Sequence, residues 1–420
     1  MKTIPFIERL QRWSGLALMV GISVLMFPMA GMAQGEPSAV VAPHAGHGAM
    51  SKYQLAVGSA FDPQGRLWVV GLDADQHLFV QHTQGSDLAH WDPPQVLNTG
   101  EDDISADGEN RPKIAFGPHQ WAVISYTRPL TKPYTGWIRM LRSQDGGQSF
   151  SAPFTVHADQ QVITHRFESI AFDHAGALHT VWIDKRDQPA KDSGLTYEGA
   201  AIYQNTSVDG GATFGPDTKV ADHSCECCRI GLLENRSGQM VALWRHVFGQ
   251  DTRDHAFAVL SGAPNQVQRA TWDDWHIKAC PHHGPGLALA QKDGAYHAVW
   301  FGIRQEAKHP DQNVAGVRYA RLNAQGAPIL SSVRLLPDAR AEHADVASWG
   351  DTVVIVWRSF TGKTTQLKSW TSRDGGHTFV LKILSETVGQ NDHPRLAQHG
   401  ARLVVVWRLP QEVQLHEIDL

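Results

Sequence analysis

Three of the four cysteines of this 420-residue chain fall within four positions, Cys225-Glu226-Cys227-Cys228. The fourth stands some fifty residues on, in Cys280-Pro281-His282-His283. Thiolates and imidazoles are soft and borderline ligands, so Cys225, Cys227, Cys228, Cys280, His282 and His283 point to a copper site, with zinc the less favoured ion. The competing chemistry is a pair of disulfides, which an even cysteine count suits if the chain is exported. Yet Cys227 and Cys228 could pair with each other only through a strained eight-membered ring. Only one bridge to Cys280 is easily drawn, which leaves two thiols to explain. Binding through thiolates would release protons, so affinity would fall with pH. A second ligand-bearing string is His44-Ala-Gly-His47-Gly-Ala-Met50. It lies in a small, polar, aperiodic stretch, and His44, His47 and Met50 read either as a solvated tail or as a copper-capturing arm.

What must position these residues is a repeated unit of short antiparallel strands. Its second strand is the easiest to follow, at 67–71, 121–126, 178–182, 240–244, 296–300, 353–357 and 403–407, with 50–62 residues between successive ends. Strands at that period predict an all-β chain folded as a single β-propeller of four-stranded antiparallel blades. Seven second strands favour seven blades; six is the alternative, if residues 53–98 and 390–420 share one blade as a clasp. Most of the second strands end in an aromatic residue, which fills the wedge between neighbouring blades. A turn string recurs as Ser143-Gln-Asp145-Gly146-Gly147-Gln-Ser149-Phe150, Ser207-Val-Asp209-Gly210-Gly211-Ala-Thr213-Phe214 and Ser372-Arg-Asp374-Gly375-Gly376-His-Thr378-Phe379. In each, the carboxylate of Asp145, Asp209 or Asp374 can accept nearby backbone N–H groups, and the paired glycines supply positive φ.

That string, S-x-D-G-G-x-[ST]-F, is the Asp-box, and the chain resembles the sialidase-like (BNR repeat) β-propellers that carry it. The resemblance implies that the approach loops before each inner strand share one mouth, opposite the Asp-box turns, and that this mouth holds the active site; sialidase propellers have six blades. The approach loops read Asn110-Arg111-Pro112, His165-Arg166-Phe-Glu168, His223-Ser-Cys225-Glu-Cys227-Cys228-Arg229, Cys280-Pro-His282-His283-Gly284, Glu342-His343-Ala-Asp345 and Asp392-His393-Pro-Arg395. His165, His343 and His393 would thus be further ligands beside the thiols. The cysteine segment, with Trp275-x-Ile277-x-x-Cys280-Pro281-x-x-Gly284-Pro285, resembles uncharacterised exported bacterial sialidase-like proteins with a C-x-C-C…W-x-I-x-x-C-P-x-N-G-P arrangement. His283 stands where that arrangement has Asn. For a glycoside hydrolase of sialidase type, the resemblance implies an arginine cluster of Arg111, Arg166 and Arg229 on a substrate carboxylate, Glu168 as base and Asp184 as acid. The nucleophilic tyrosine is matched best by Tyr319, and the family's R-I-P signature is missing, Asn110-Arg111-Pro112-Lys113 being the nearest string.

Lys2, Arg9 and Arg12, an apolar run over 16–29 and Gly31-Met32-Ala33 read as a secretory signal peptide spanning 1–33. Residues 34–52 then form a flexible lead-in and 53–420 the propeller. A net charge of −5 without a basic stripe argues against nucleic acid, and no segment argues for membrane insertion. The reading that follows is a periplasmic copper-binding propeller serving uptake, delivery or tolerance, with a membrane transporter or another periplasmic protein as partner. The alternatives are a sialidase-type glycoside hydrolase and a non-catalytic protein- or glycan-binding platform stapled by disulfides.

Overall fold

The computed structural model describes residues 2–5, 54–188, 199–304 and 313–418. The calls at His44, His47 and Met50 lie outside these residues. The described residues form seven four-stranded antiparallel sheets, and the only helical element among them is a single 3-10 turn at Leu330–Ser332. In the first six sheets the strands follow one another in chain order. The inner strands are Gly58–Phe61, Lys113–Phe116, His165–Phe172, Gly231–Glu234, Gly286–Leu289, Ala341–Trp349 and Arg395–His399. Each touches the next, and the last touches the first, so the sheets close a ring about an axis. Seven blades is therefore the count, and the six-blade alternative is corrected: residues 395–418 build a sheet of their own instead of completing the first.

All seven second strands lie where the repeat predicts. They are Leu67–Leu72, Ala122–Pro129, Leu178–Asp184, Met240–Arg245, Tyr296–Arg304, Thr352–Phe360 and Arg402–Arg408. They are apolar in runs because a blade is covered on both faces by its neighbours, which leaves no solvent side to alternate toward. Their aromatic ends, Tyr126, Trp182, Trp244, Trp300, Trp357 and Trp407, are buried. Three of these ends share a device that the sequence did not reveal. Tyr126, Trp300 and Trp357 stand directly opposite Arg139, Arg318 and Lys368 on the third strands. One aspartate from the approach segment serves each pair: Asp102 accepts from Tyr126 Oη at 2.7 Å and Arg139 Nε at 2.8 Å. Asp273 accepts from Trp300 Nε1 at 2.6 Å and lies 3.3 Å from Arg318 Nε. Asp338 accepts from Trp357 Nε1 at 2.9 Å and Lys368 Nζ at 2.8 Å. In blade 4 the pattern breaks, for Trp244 stands opposite Ala256 and its buried indole N–H has no hydrogen-bond partner.

The Asp-box turns join third to fourth strands in blades 2, 3 and 6. Asp145 Oδ1 accepts from Ser143 Oγ at 2.7 Å and from Ser149 N at 3.0 Å, and Asp209 and Asp374 repeat the pattern with Thr213 and Thr378. Gly147, at φ 88°, could carry no side chain, because a Cβ there would lie 2.5 Å from the Trp68 ring of the preceding blade. The hydrogen bonds from Ser149 and Thr213 hold Asp145 and Asp209 down at about 2. An unfolded aspartate titrates near about 3.9, so these turns contribute stability that is present above that pH and is lost as pH falls toward about 2. Urea midpoints measured across this window should fall more steeply for the wild type than for the Asp145→Asn, Asp209→Asn, Asp374→Asn variant. Parallel curves would mean that the turns do not act as this acid-labile element.

The seventh sheet runs Arg395–His399, Arg402–Arg408, Glu412–Ile418, and its outer strand is Lys2–Pro5, with Lys2 opposite Leu415 and Pro5 opposite Glu412. That strand lies inside the stretch read as a leader. Cleavage after Ala33 would remove it and leave Glu412–Ile418 as an open edge.

Candidate metal centre

The loop over 223–229 is laid along the end of the second strand of blade 4. Cys225 N donates to Arg245 O at 2.9 Å and Val247 N to His223 O at 2.7 Å, with His223 itself at φ 61°. This folds three sulfurs inward. Cys225, Cys227 and Cys228 are buried against Phe167, Ile230, Trp244 and Ala256, and Cys280 reaches the group from the next approach loop, partly exposed. The four cysteines are free thiols. Cys225 Sγ lies 3.9 Å from Cys227 Sγ, and Cys227 Sγ lies 3.9 Å from Cys228 Sγ. The sulfurs of Cys225, Cys227 and Cys280 all fall within 4.8 Å of one another.

These distances fit a metal ion held by thiolates. A metal–sulfur bond of about 2.3 Å places sulfurs about 3.8 Å apart around a tetrahedral ion and about 4.0 Å apart around a trigonal one. Hydrogen bonds from Cys227, Cys228 and Cys280 draw the Cys225 thiol well below its usual range against the opposing effect of burial, and Arg253 adds to the pull. Burial pushes Cys227 and Cys228 up, while the hydrogen bond with Cys225 brings Cys280 up to about 11. One thiolate is therefore favoured and further ones oppose it, since two unit charges 4 Å apart repel by about 4 kcal/mol at an effective dielectric of 20. Only a cation among the sulfurs would let three ionise together.

The histidines expected beside the thiols are placed elsewhere. His282 turns the chain, at φ 53°, and neither it nor His283 joins the three sulfurs in a group of comparable closeness. His283 stacks on Phe301 at 4.4 Å and on His343 at 4.3 Å, and His343 stacks on His393 at 3.4 Å. His165 is also apart: it stacks on His157 at 3.9 Å, and its Nδ1 lies 3.2 Å from Gly136 O. Of the six residues predicted as one Cys/His cluster, the four cysteines stay together, His283 joins an imidazole stack with His343 and His393, and His282 serves as a turn residue of the Cys280 loop.

The stack surrounds a residue that the sequence reading missed, Glu109, one position before the Asn110-Arg111 string. Its Oε1 accepts from Arg229 Nη1 at 3.0 Å and His343 Nδ1 at 3.2 Å, with His393 Nδ1 at 3.5 Å. Its Oε2 accepts from the backbone N–H of Arg229 at 3.1 Å and of Gly284 at 2.8 Å. Burial opposes its ionisation, yet the Arg229 charge and the two imidazoles hold the carboxyl well below the usual range. Burial keeps His283, His343 and His393 neutral. Glu109, His343 and His393 are close enough to be considered as metal ligands. We read them instead as a hydrogen-bonded latch. The His343 and His393 rings lie parallel within 12°, which sets their in-plane lone pairs side by side, and Arg229 already supplies the positive charge. The latch fixes both thiol-bearing loops: Arg229 follows Cys228, and Gly284, where a Cβ would lie 2.7 Å from Arg229 N, closes the Cys280 loop.

The residues that would serve glycoside hydrolysis are tied into the framework. Arg111 is buried against Asp392 at 2.9 and 3.2 Å and donates to Val57 O and Gly108 O. Arg229 is held by Glu109, Pro285 O and Ala344 O. Arg166 lies over the Phe167 ring, with Ser105 Oγ at 3.3 Å. Arg111 and Arg229 do line a common channel of about 300 Å³ along the axis, with Lys113 and Arg395; Arg166 does not line it. Glu168 accepts from Lys113, Ser125 and Thr127, and Asp184 from Trp182 Nε1 and Arg186. Tyr319 is wholly buried, its hydroxyl on His297 and against the Asp-box glycine Gly376. It therefore sits at the turn end, away from the arginines.

No family model and no curated protein matches this sequence. Among solved structures, the chain is similar to a PL25 ulvan lyase, a polysaccharide lyase, with TM-score 0.53 and 12% identity over 88% of this chain and 95% of that one. It is similar to polysaccharide lyase Uly1 with TM-score 0.52 and 9% identity, over 88% and 91%. Likeness to the Hadza microbial sialidase Hz136 is weaker, at TM-score 0.47 and 11% identity over 82% and 73%. The chain is a seven-bladed β-propeller whose structural neighbours are the propellers of polysaccharide lyases and sialidases.

Proposed function

We propose that this chain is a copper-binding β-propeller that holds Cu(I) through Cys225, Cys227 and Cys280. The observation that carries the reading is three thiols from two loops within 4.8 Å of one another, two of the sulfurs 3.9 Å apart. Three sulfurs without an imidazole alongside suit three-coordinate Cu(I) better than Zn(II), which takes four ligands in closed sites. Cys228, 3.9 Å from Cys227, is the reserve ligand on which a zinc reading would rely. Cys280, as the partly exposed member, is where an ion would pass to or from a partner, a membrane transporter or another periplasmic protein. Export through the 1–33 leader would place that exchange in the periplasm, in copper uptake, delivery or tolerance. No helix among the described residues is long and apolar enough to cross a membrane.

The test is metal content by mass spectrometry with a free-thiol count, on untagged protein from the exported fraction. Near-stoichiometric copper with reactive thiols supports the reading. Zinc in its place would move the site to four cysteines. No metal after reconstitution with Cu(I), and no free thiol, would leave the cysteines as staples and end the proposal.

A further inference from the structure

Blade 3 departs from the aspartate device of blades 2, 5 and 6. Its approach segment carries an aspartate too, Asp159, between the outer strand Phe154–Thr155 and the inner strand His165–Phe172. But Trp182 stands opposite Tyr203 instead of a cation, and its indole N–H donates to Asp184 Oδ2 at 2.7 Å. Asp159 therefore serves neither, and accepts from Gln161 N at 2.8 Å and Gln161 Nε2 at 2.9 Å. Asp217 lies alongside, its Oδ2 accepting from Ala158 N at 2.9 Å. One guanidinium, Arg186, serves both Asp184 and Asp217, at 2.8 and 2.9 Å. The side chains of Asp184, Asp217 and Asp159 are 0%, 4% and 14% exposed, so three desolvated carboxylates share one arginine.

His165 points into this group. It is wholly buried, and its Nδ1 lies 3.2 Å from Gly136 O. Its Nε2 makes no hydrogen bond and lies 3.4 Å from Asp159 Oδ1 and 3.7 Å from Asp184 Oδ2. Donation from Nδ1 to the carbonyl leaves Nε2 as the lone-pair nitrogen of the neutral ring, which is how a ligating histidine is oriented. The stacked His157, 3.9 Å away, is fixed neutral as well, since its Nε2 accepts from Ile138 N at 3.2 Å and its Nδ1 donates to Asp159 O at 2.6 Å. A lone pair facing two carboxylates is repulsive unless a cation stands between them.

We propose that His165 Nε2, Asp159 Oδ1 and Asp184 Oδ2 form a second metal site, separate from the thiols, for a divalent cation such as Mn(II). An imidazole with two carboxylates suits such an ion, as three thiols suit Cu(I). Metal–nitrogen and metal–oxygen bonds of about 2.0–2.2 Å set ligand atoms about 3.3–3.6 Å apart at tetrahedral angles and about 3.5–3.8 Å apart at trigonal ones, which covers both separations from Nε2. The charges also close: a divalent ion and Arg186 together match Asp159, Asp184 and Asp217. Asp159, the most exposed of the three ligands, is the side from which the ion enters.

The experiment titrates metal-stripped full-length protein with Mn(II), a hard ion that thiols hold poorly, and reads the free ion from its electron paramagnetic resonance signal. The wild type is expected to take up about one Mn(II) per chain, and both Asp159→Asn and His165→Gln to weaken that binding by about tenfold or more. Asp159→Asn changes a loop side chain and carries the test if the buried His165→Gln does not fold. No uptake by the wild type at about 1 mM Mn(II), or uptake by Asp159→Asn equal to the wild type, would overturn the inference. So would nitrogen NMR shifts showing His165 doubly protonated at neutral pH with Mn(II) present, since a proton would then hold the place given to the ion. Each of these failures leaves the Cu(I) reading of the thiols untouched, because that reading is tested with a different ion on different residues.

Discussion

Serine at Cys225, Cys227 or Cys280 is expected to abolish stoichiometric Cu(I) binding, whereas serine at Cys228 is expected to leave it within about tenfold of the wild type. The asymmetry follows from the geometry: the first three sulfurs are mutually within 4.8 Å, while Cys228 is placed by its 3.9 Å approach to Cys227. A serine hydroxyl is a hard ligand that stays protonated, so it cannot replace a thiolate on a soft ion. The fold should survive each change, because a buried hydroxyl left without a partner costs about 1–3 kcal/mol, a fraction of what a domain can lose. Cu(I) titration in a competing chelator, beside a thermal melt of each variant, separates the two effects. Loss of binding in Cys228→Ser equal to that in Cys227→Ser would shift the site to the contiguous pair. Full binding by Cys280→Ser would show that the two loops do not share an ion.

The periodic part of this molecule was legible from the sequence because a blade repeats its physics. The run of apolar residues ending in Trp182 or Trp357, and the Asp-box glycines, are local patterns dictated by face-to-face packing and by positive φ. The convergence of the approach loops was legible too, as equivalent positions in a ring. What the sequence withheld was direction. The inner strands of blades 3 and 6 bulge at Phe167 and His343, whose φ values are 58° and 52°. A one-residue bulge re-aims the side chains around it, and the spacing of His343 from Trp357 carries no sign of it. That is why His343 was expected among the thiols and stands instead beside Glu109; His283 and His393 stack on it from the approach loops on either side. Glu109 was overlooked because a lone glutamate one residue before Asn110-Arg111 has no ligand type or spacing of note. Its importance comes from four hydrogen-bond donors contributed by three other blades, with the His393 ring of a fourth beside it. The arginines were misjudged for a related reason. Arg111 and Arg229 were read as open to a substrate, since sequence does not show which carboxylates a closed ring will set against them.

Asp392→Ala is expected to destabilise the propeller by about 3–5 kcal/mol, the largest single-residue effect anticipated here, because it would leave Arg111 buried and unpaired. The Asp392 carboxylate takes both terminal nitrogens of Arg111, at 2.9 and 3.2 Å, and the Val57 backbone N–H at 3.1 Å. Arg111 in turn donates to Val57 O at 2.7 Å. These three residues precede the inner strands of blades 7, 1 and 2, so one buried ion pair joins the last blade to the first two. Its net worth is small compared with the cost of breaking it, since two desolvated charges roughly cancel their attraction, whereas a lone guanidinium does not. The double variant Arg111→Met, Asp392→Leu should therefore recover most of the loss, with unfolding in guanidinium as the measurement. The same pair bears on the sugar-acid alternative. For Arg111 to grip a substrate carboxylate it must first release Asp392, so a protein built to do so would tolerate Asp392→Ala and gain affinity for carboxylate ligands. A change in unfolding free energy below about 1 kcal/mol, with such a gain, would contradict the closure role and return the axial arginines to the list of ligand-binding groups.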